Sequence, residues 1–221
     1  MVQIGALIAD RFDRSHDPRG LLPPGEAAMR RVLAREVSAV REELGEVPIA
    51  LNAAPGSLED ALEMARSFHE AGGDLFELNC HGSYAKLTER GLLRAMASER
   101  NRPEMIRWLT ELCRLSIPVI VKFWGPDANI DWVGVLDGLE DAGGLFGVHF
   151  NVRDDRKNQP DLDLVSRIRP SCPGLLLCSG CVKTADHVRS LLHHGADCVG
   201  IAQGVLDHPA IIADLAGSGR A

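Results

Sequence analysis

The last quarter of the chain repeats one strand–turn–helix pattern, and this repetition constrains the fold more than any other feature. In the first repeat the apolar run 175–178 leads into a turn of small residues, and a helical pattern follows. In the second repeat the run 198–202 leads into Gln203-Gly204, and a helix is expected to begin near His208. Because successive strand–helix–strand units form right-handed crossovers, the pattern predicts a parallel sheet.

The same alternation runs through the rest of the chain. Short apolar runs predict seven strands, at residues 2–9, 47–53, 75–80, 117–123, 145–151, 175–178 and 198–202. Helical patterns separate them, at residues 25–44, 58–71, 92–97 with 103–115, 131–142, 162–169 and 185–194. Near-continuous apolar strands are typical of a sheet that is covered on both faces. We predict an α/β fold, a parallel (β/α)₈ TIM-type barrel whose eighth strand is irregular, hidden between Arg11 and Val47, or missing.

The length and the net charge of the chain limit the number of domains and the kinds of partner that it can have. At 221 residues the chain has the length of one barrel, so residues 1–216 are predicted to form a single domain and 217–221 a frayed tail. A net charge of −7 argues against tRNA or another polyanion as a partner. No apolar stretch resembles a signal peptide or a membrane span, so we expect a cytoplasmic protein without a membrane partner. Cys178 and Cys181 have no second pair at metal-site spacing, so no metal site is predicted.

Polar residues stand where the predicted strands end. They are Asn52, Asn79, Cys80, His81, Lys122, His149, Asn151, Arg153, Ser179 and Gln203. In a barrel of parallel strands the active site forms at the carboxyl ends of the strands. Asparagine, lysine and histidine are uncommon in apolar strands unless they have a partner. Their convergence therefore predicts a ligand site.

Each of these residues also has a purely structural interpretation. Asn52 could cap the helix that follows Ser57, Lys122 could pair with Glu77, and His149 could be a hydrogen-bonded core residue. The turns Ser179-Gly180-Cys181 and Ala202-Gln203 lead into predicted helices, whose N-termini favour anions. These two turns predict a phosphate on the ligand.

Three segments carry a resemblance to a known family. They are Glu77-Leu78-Asn79-Cys80-His81-Gly82-Ser83-Tyr84-Ala85-Lys86 with Gly91, then Pro118-Val119-Ile120-Val121-Lys122, and then residues 147–153 with Ser179-Gly180 and residues 200–204. The chain resembles the flavin-binding barrel of the tRNA-dihydrouridine synthases, which is itself similar to dihydroorotate dehydrogenase. The match is to the short archaeal-type members that consist of the barrel alone, and it covers residues 48–211.

The resemblance implies FMN as the cofactor. Lys122 would stabilise negative charge at the pyrimidine edge of the flavin, and Asn52 would hydrogen-bond that edge. The other residues implied in cofactor binding are Asn79, His149, Ser179, Gly180, Cys181, Ala202 and Gln203. The residues implied in catalysis are Cys80 or His81 as the proton donor and Lys86, with Arg153, as a contact for an anionic substrate group.

The chain departs from the family pattern in several places. The proton-donating cysteine of the family falls at Gly82 here, and the arginine of the phosphate loop is replaced by Gln203. Ser179 stands where the family has an asparagine, and the N-terminal Pro-Met flavin loop has no clear counterpart in residues 5–13. The lost arginine removes a bidentate phosphate partner and would weaken FMN binding. The helical tRNA-binding domain of the family has no counterpart in this sequence, in line with the negative charge.

Three functions follow from these observations. The leading one is an FMN-dependent oxidoreductase that transfers hydride between the flavin and a small unsaturated or dihydro ring compound. The first alternative is a flavin-free barrel enzyme, such as an aldolase, an isomerase or a pterin-type transferase, that binds a phosphorylated ligand. The second is a non-catalytic barrel subunit. A homo-oligomer is compatible with all three functions.

Overall fold

Strands and helices alternate along the part of the chain that the computed structural model describes, residues 1–16 and 19–218. The strands are β1 (Val2–Ala9), β2 (Ile49–Pro55), β3 (Leu75–Cys80), β4 (Val119–Trp124), β5 (Gly147–Asn151), β6 (Arg153–Asp154), β7 (Gln159–Pro160), β8 (Leu175–Ser179) and β9 (Cys198–Gly200). The α-helices are α1 (Glu26–Leu44), α2 (Leu58–Glu70), α3 (Ala85–Thr88), α4 (Arg102–Leu112), α5 (Trp132–Asp137), α6 (Leu162–Ile168), α7 (Ala185–His193), α8 (Gln203–Asp207) and α9 (Ile211–Ser218). Short 3₁₀ helices lie at Leu93–Ala97, Gly138–Ala142 and Arg169–Ser171.

The described residues form two compact units. The first unit is Met1–Lys122 with Gly138–Phe146, and the second is built from Phe123–Asp137 and the residues from Gly147 onward. The first unit contains β1, β2 and β3 in parallel pairing, with the first part of β4 next to β3. The second unit contains β5, β8 and β9 in parallel pairing and a small antiparallel pair, β6 with β7.

The core of the first unit lies between its sheet and two long helices. All residues of β2 and β3 are buried, as expected of strands that are covered on both faces. Helix α2 begins at Ser57, whose hydroxyl accepts a hydrogen bond from the Asp60 amide at 3.1 Å. Phe68 of α2 packs so closely on Gly73 that a Cβ there would lie 2.2 Å from its ring. The turn after α2 therefore requires glycine.

An aromatic cluster forms the core of the second unit. The rings of Phe123, Trp132 and Phe150 lie 5.1–5.4 Å apart, with Trp132 edge-on to Phe150. The indole N–H of Trp132 donates to the Gly125 carbonyl at 2.8 Å, so its polar atom is satisfied although the ring is buried. Two helices of this unit have side-chain caps, Asp161 for α6 and Thr184 for α7.

The predicted α/β class and the seven parallel strands of a TIM-type barrel are confirmed for the described residues. β1 and β3 have the predicted bounds, and β2, β4, β5, β8 and β9 differ from the predicted bounds by two residues or fewer at either end. The short strands β6 and β7 were not predicted. Between Arg11 and Val47 the described residues contain no strand, only an isolated bridge between Ile8 and Leu21. The eighth strand is therefore missing from the part of the chain that the structure describes.

Three local predictions are wrong. The helix predicted at 131–142 is α5 followed by a 3₁₀ helix, because Gly134 and Gly138 weaken helix propagation. The helix predicted at 92–97 is a 3₁₀ turn. Gln203 and Gly204 lie inside helix α8 instead of in a turn, and the last helix begins at Ile211.

Two predictions about extent remain predictions. The single domain over 1–216 is one of them. The predicted tail 217–221 overlaps the end of α9 at Ser218, and its last residues, 219–221, lie outside the described residues. No helix among the described residues is both long and apolar enough to span a bilayer.

Candidate functional site

Five polar side chains of the first unit form a connected group that we call the amide–lysine cluster: Gln3, Asn52, Glu77, Asn79 and Lys122. The parallel register of β2 and β3 places Asn52 directly beside Glu77. Glu77 is completely buried, and its Oε1 accepts hydrogen bonds from the amide of Gln3, at 2.7 Å, and from the amide of Asn52. Lys122 Nζ lies 3.7 Å from the same oxygen and 3.4 Å from Gln3 Oε1. A buried carboxylate of this kind needs such partners, because its desolvation is costly.

The cluster continues from the strands into the loop after β3. Asn79 donates from Nδ2 to Asn52 Oδ1 at 2.7 Å. Its own Oδ1 accepts from the backbone amides of His81, at 2.9 Å, and Gly82, at 2.7 Å. Asn79 therefore connects the cluster to the loop and fixes the path of the loop at its first two residues.

A cavity of about 380 Å³ opens beside this cluster, within the first unit. Gly5 of β1 forms part of its wall, and a Cβ there would lie 2.5 Å from the Asn52 carbonyl, so only glycine allows this approach. Arg94 also lines the cavity and supports its wall by donating to the carbonyls of Gly82, at 3.3 Å, and His81, at 3.2 Å. The lining residues are Gln3, Gly5, Ala6, Asn52, Asn79, His81, Gly82, Ser83, Tyr84, Arg94 and Lys122.

The structure therefore brings Asn52, Asn79, His81 and Lys122 to one cavity, and it places two other predicted residues elsewhere. Cys80 is completely buried with its Sγ 3.8 Å from Met96 Sδ, and burial raises the pKa of its thiol far above the usual range. Strand alternation explains this placement, since Cys80 faces opposite to Asn79.

Lys86 is the second predicted residue that does not line the cavity. It hydrogen-bonds the Ser15 hydroxyl, and its Nζ lies 3.4 Å from Asp13 Oδ2. The two residues that it contacts belong to the segment after β1, so Lys86 ties that segment to α3.

The remaining predicted residues lie in the second unit. His149 Nε2 lies 2.7 Å from Ser179 Oγ, as the parallel register of β5 and β8 allows. Gly180 adopts a φ of +100°, and a Cβ there would lie 2.2 Å from Asn151 Oδ1. Cys181 follows with a φ of 54°, so the turn after β8 has two successive residues in left-handed conformations.

The other predicted phosphate turn lies at the start of α8. Ala202 precedes this helix, and Gln203 Nε2 donates to Asp207 Oδ1 at 3.0 Å within it. Arg153, predicted as a substrate contact, instead pairs with Asp155 at 2.5 Å and lies over the Trp124 ring at 5.7 Å. Among the described residues, no group of three or more His, Cys, Asp or Glu side chains is arranged to hold a metal ion.

Asn52, Lys122 and His149 each had a purely structural interpretation beside the ligand-binding one, and the structure tests the structural interpretation of each. Asn52 does not cap α2, because Ser57 does. Lys122 does pair with Glu77, but it also lines the cavity. His149 is buried and has a hydrogen-bonding partner in Ser179.

The sequence analysis assigned no site role to four lining or supporting residues: Gln3, Glu77, Tyr84 and Arg94. Glu77 had a usable signal, because it lies two residues before Asn79 and must share its face of β3. Gln3 is a polar residue inside an apolar strand and had a similar signal. Arg94 lies in a 3₁₀ turn, and its sequence neighbours give no sign of its position.

A second buried carboxylate of the first unit forms a different group, which we call the loop clamp: Asp10, His16 and Arg90. Asp10 is completely buried, and its Oδ2 accepts from Arg90 at 2.6 Å and lies 3.0 Å from His16 Nε2. Its Oδ1 accepts from the backbone amides of Phe12 and Asp13. Burial pushes the pKa of Asp10 up, but the hydrogen bonds from His16, Phe12 and Arg90 outweigh it, so the net pKa lies below the usual value. The group fixes the segment after β1.

Comparison with solved structures relates this arrangement to a known barrel. One similar structure is a crystal structure of ligand-free DHODH from Eimeria tenella. It matches with a TM-score of 0.64 at 12% sequence identity, and the match covers 86% of this chain and 65% of that chain. The fold is that of the DHODH-type barrel. The same enzyme in complex with ferulenol gives a TM-score of 0.61 at 13% identity, covering 86% of this chain and 62% of that chain.

A third similar structure is inosine 5′-monophosphate dehydrogenase from Legionella pneumophila. It matches with a TM-score of 0.52 at 16% identity, covering 79% of this chain and 47% of that chain. The chain thus spans less than two thirds of the length of these solved structures. No protein-family model and no curated protein matches the sequence. At these identities the likeness confirms the fold that the resemblance implied, and the activity is a separate question.

Proposed function

We propose that this chain is an FMN-dependent oxidoreductase that acts on a small unsaturated or dihydro ring compound. The observation that carries the proposal is the amide–lysine cluster beside a cavity, on a fold shared with DHODH. The other similar structure is also named a dehydrogenase, which supports redox chemistry in general. The dihydrouridine-synthase-like specificity rests on the sequence resemblance alone.

The donor set of the cavity fits the polar edge of a flavin. That edge alternates carbonyl and N–H groups, which need both donors and acceptors from the protein. Lys122 supplies an ammonium, while Gln3 and Asn52 supply amides that can both donate and accept. A cavity of about 380 Å³ also lies within the range typical of small-molecule sites.

When bound, the flavin would supply the two-electron chemistry of hydride transfer. Lys122 would stabilise the negative charge that reduction places on the pyrimidine edge. Proton donation would come from His81, which lines the cavity and whose side-chain type changes charge near neutral pH. Cys80 is a poor donor, because its thiol faces Met96 inside the core.

Within the second unit we propose a phosphate-binding site at Ser179, Gly180, Cys181, Ala202 and Gln203, with His149 beside Ser179. The support is the turn after β8, where Gly180 admits a backbone conformation that exposes N–H groups. Gln203 weakens the case, because its amide bonds to Asp207 and cannot replace an arginine. We accordingly expect a phosphate group to bind less tightly at this turn than at one that retains the arginine. The proposed setting is cytoplasmic, with a small-molecule substrate and without tRNA.

The test is a titration of the purified chain with FMN, followed by flavin fluorescence and the visible spectrum. Saturable quenching with a shifted flavin band would support the proposal. Lys122→Met should weaken FMN binding at least tenfold, because it removes the ammonium from the cavity, whereas Lys157→Met, on the exposed loop between β6 and β7, should not change it. A chain that neither quenches FMN nor shifts its spectrum would rule out the flavin function.

A further inference from the structure

Glu77 is the centre of the amide–lysine cluster, although it does not line the cavity. Its carboxylate is completely buried, and two amides and one ammonium converge on the single atom Oε1. Among these three contacts of Oε1, Lys122 Nζ lies at 3.7 Å, farther than the neutral amide nitrogens of Gln3 and Asn52.

Gln3 determines this separation. Its Nε2 donates to Glu77 while its Oε1 lies 3.4 Å from Lys122 Nζ, so the amide stands between the two charges. Neither of the contacts of Lys122 within the cluster is shorter than 3.4 Å. An ammonium has three N–H donors, so Lys122 keeps hydrogen-bonding capacity on the cavity side. Its side chain is 14% exposed, which places the charge at the boundary between core and cavity.

We propose that Glu77 is a positioning residue that holds Lys122 at the cavity and partly neutralises its charge there, thereby lowering the reduction potential of the bound flavin. The inference rests on the proposed function. Reduction adds negative charge to the ring, which Lys122 stabilises and a nearby carboxylate opposes. In this low-dielectric setting the balance between the two charges sets how strongly the site prefers the reduced cofactor.

A purely structural role makes a different prediction. If Glu77 only satisfies the amides of Gln3 and Asn52, its neutral isostere would preserve those hydrogen bonds through Oε1 and leave the potential unchanged. If Glu77 acts through its charge, the isostere would leave Lys122 uncompensated. The site would then favour the reduced, more negative flavin.

The experiment compares the wild type with Glu77→Gln, each reconstituted with FMN, and measures the FMN dissociation constant and the two-electron reduction potential. In Glu77→Gln, preference for the reduced over the oxidised flavin should increase at least tenfold, an upward shift of about 30 mV. Asp10→Asn is the matched control, because it removes an equally buried carboxylate of the same unit that does not line this cavity. It should leave the potential at the wild-type value.

A second variant covers the possibility that Glu77→Gln does not fold. Glu77→Asp keeps the charge but sets it one methylene further from Lys122, so the potential should rise by a smaller amount than in Glu77→Gln. An unchanged potential in whichever variant folds overturns the inference and leaves the flavin function intact. A wild type that does not bind FMN overturns both, and the titration alone shows this.

Discussion

The amide–lysine cluster and the loop clamp each surround a completely buried carboxylate, yet they differ in where the cation lies. In the cluster Lys122 stays 3.7 Å from Glu77 and lines a cavity. In the clamp Arg90 lies 2.6 Å from Asp10 and also donates to the Gly56 carbonyl. The Arg90 guanidinium of the clamp is therefore engaged in holding a loop, whereas the Lys122 ammonium of the cluster keeps hydrogen-bonding capacity for a ligand.

This difference shows that a buried carboxylate alone does not identify a site. What distinguishes the cluster is an ammonium that is only loosely engaged and amides that separate the charges. The loop clamp, by contrast, satisfies Asp10 with two side chains and two backbone amides, as expected of a structural group.

The largest effect is expected from breaking the loop clamp. Asp10→Ala should lower the free energy of unfolding by about 3–5 kcal/mol, because it removes one partner of a buried charge pair and leaves the segment after β1 without its acceptors. Urea unfolding followed by circular dichroism measures this loss. FMN affinity measured under folding conditions should stay within twofold of wild type, and a tenfold loss of affinity would show that the clamp belongs to the site.

The next largest effect is expected from Asn79→Ala in the amide–lysine cluster. It should weaken FMN binding at least tenfold, because the amides of His81 and Gly82 lose their common acceptor and the loop beside the cavity is no longer fixed. Fluorescence titration measures the affinity. Asn129→Ala, which removes an exposed hydrogen bond to Asp127 in the second unit, is the matched control and should bind FMN as wild type does.

A smaller effect concerns acid stability. The pKa of Asp10 is lowered in the folded chain, and that of Asp13 falls to about 2 through hydrogen bonds from Ser15 and the nearby Lys86. Both carboxylates therefore contribute stability that is present above the usual aspartate pKa of 3.8 and is lost as the pH falls towards 2. Unfolding free energies measured from pH 6 down to pH 3 should decline less steeply in Asp10→Asn than in wild type. Parallel slopes would contradict the role of the clamp.

The smallest effect is expected at Cys80. Cys80→Ser should leave FMN affinity within twofold of wild type, since the thiol packs on Met96 and does not line the cavity. The substitution should instead lower the free energy of unfolding by about 1–3 kcal/mol, because it buries a hydroxyl without a strong partner. Thermal unfolding and titration of the same preparation separate the two quantities. A loss of FMN affinity or of flavin-dependent turnover would show that Cys80 belongs to the site.

The part of the candidate site that the sequence predicted follows from strand ends, because parallel strands bring their carboxyl ends to one side of a sheet. Asn52, Asn79, His81 and Lys122 were predicted in this way, and the structure places them around one cavity. Cys80 was predicted at the site because it directly follows Asn79 in the chain. That prediction did not take account of the alternation of side chains between the two faces of a strand. That alternation puts Glu77 and Asn79 on one face and Leu78 and Cys80 on the other.

The sequence by itself determined the order of the main strands and helices and the polar residues available at the strand ends. These depend on local periodicity and on hydrogen bonds between near neighbours. Only the tertiary structure decided that Gln3 meets Glu77, 74 residues away, and that Lys122 remains at a distance from that carboxylate. Strand register and side-chain packing set those contacts, and both depend on segments that are far apart in the chain.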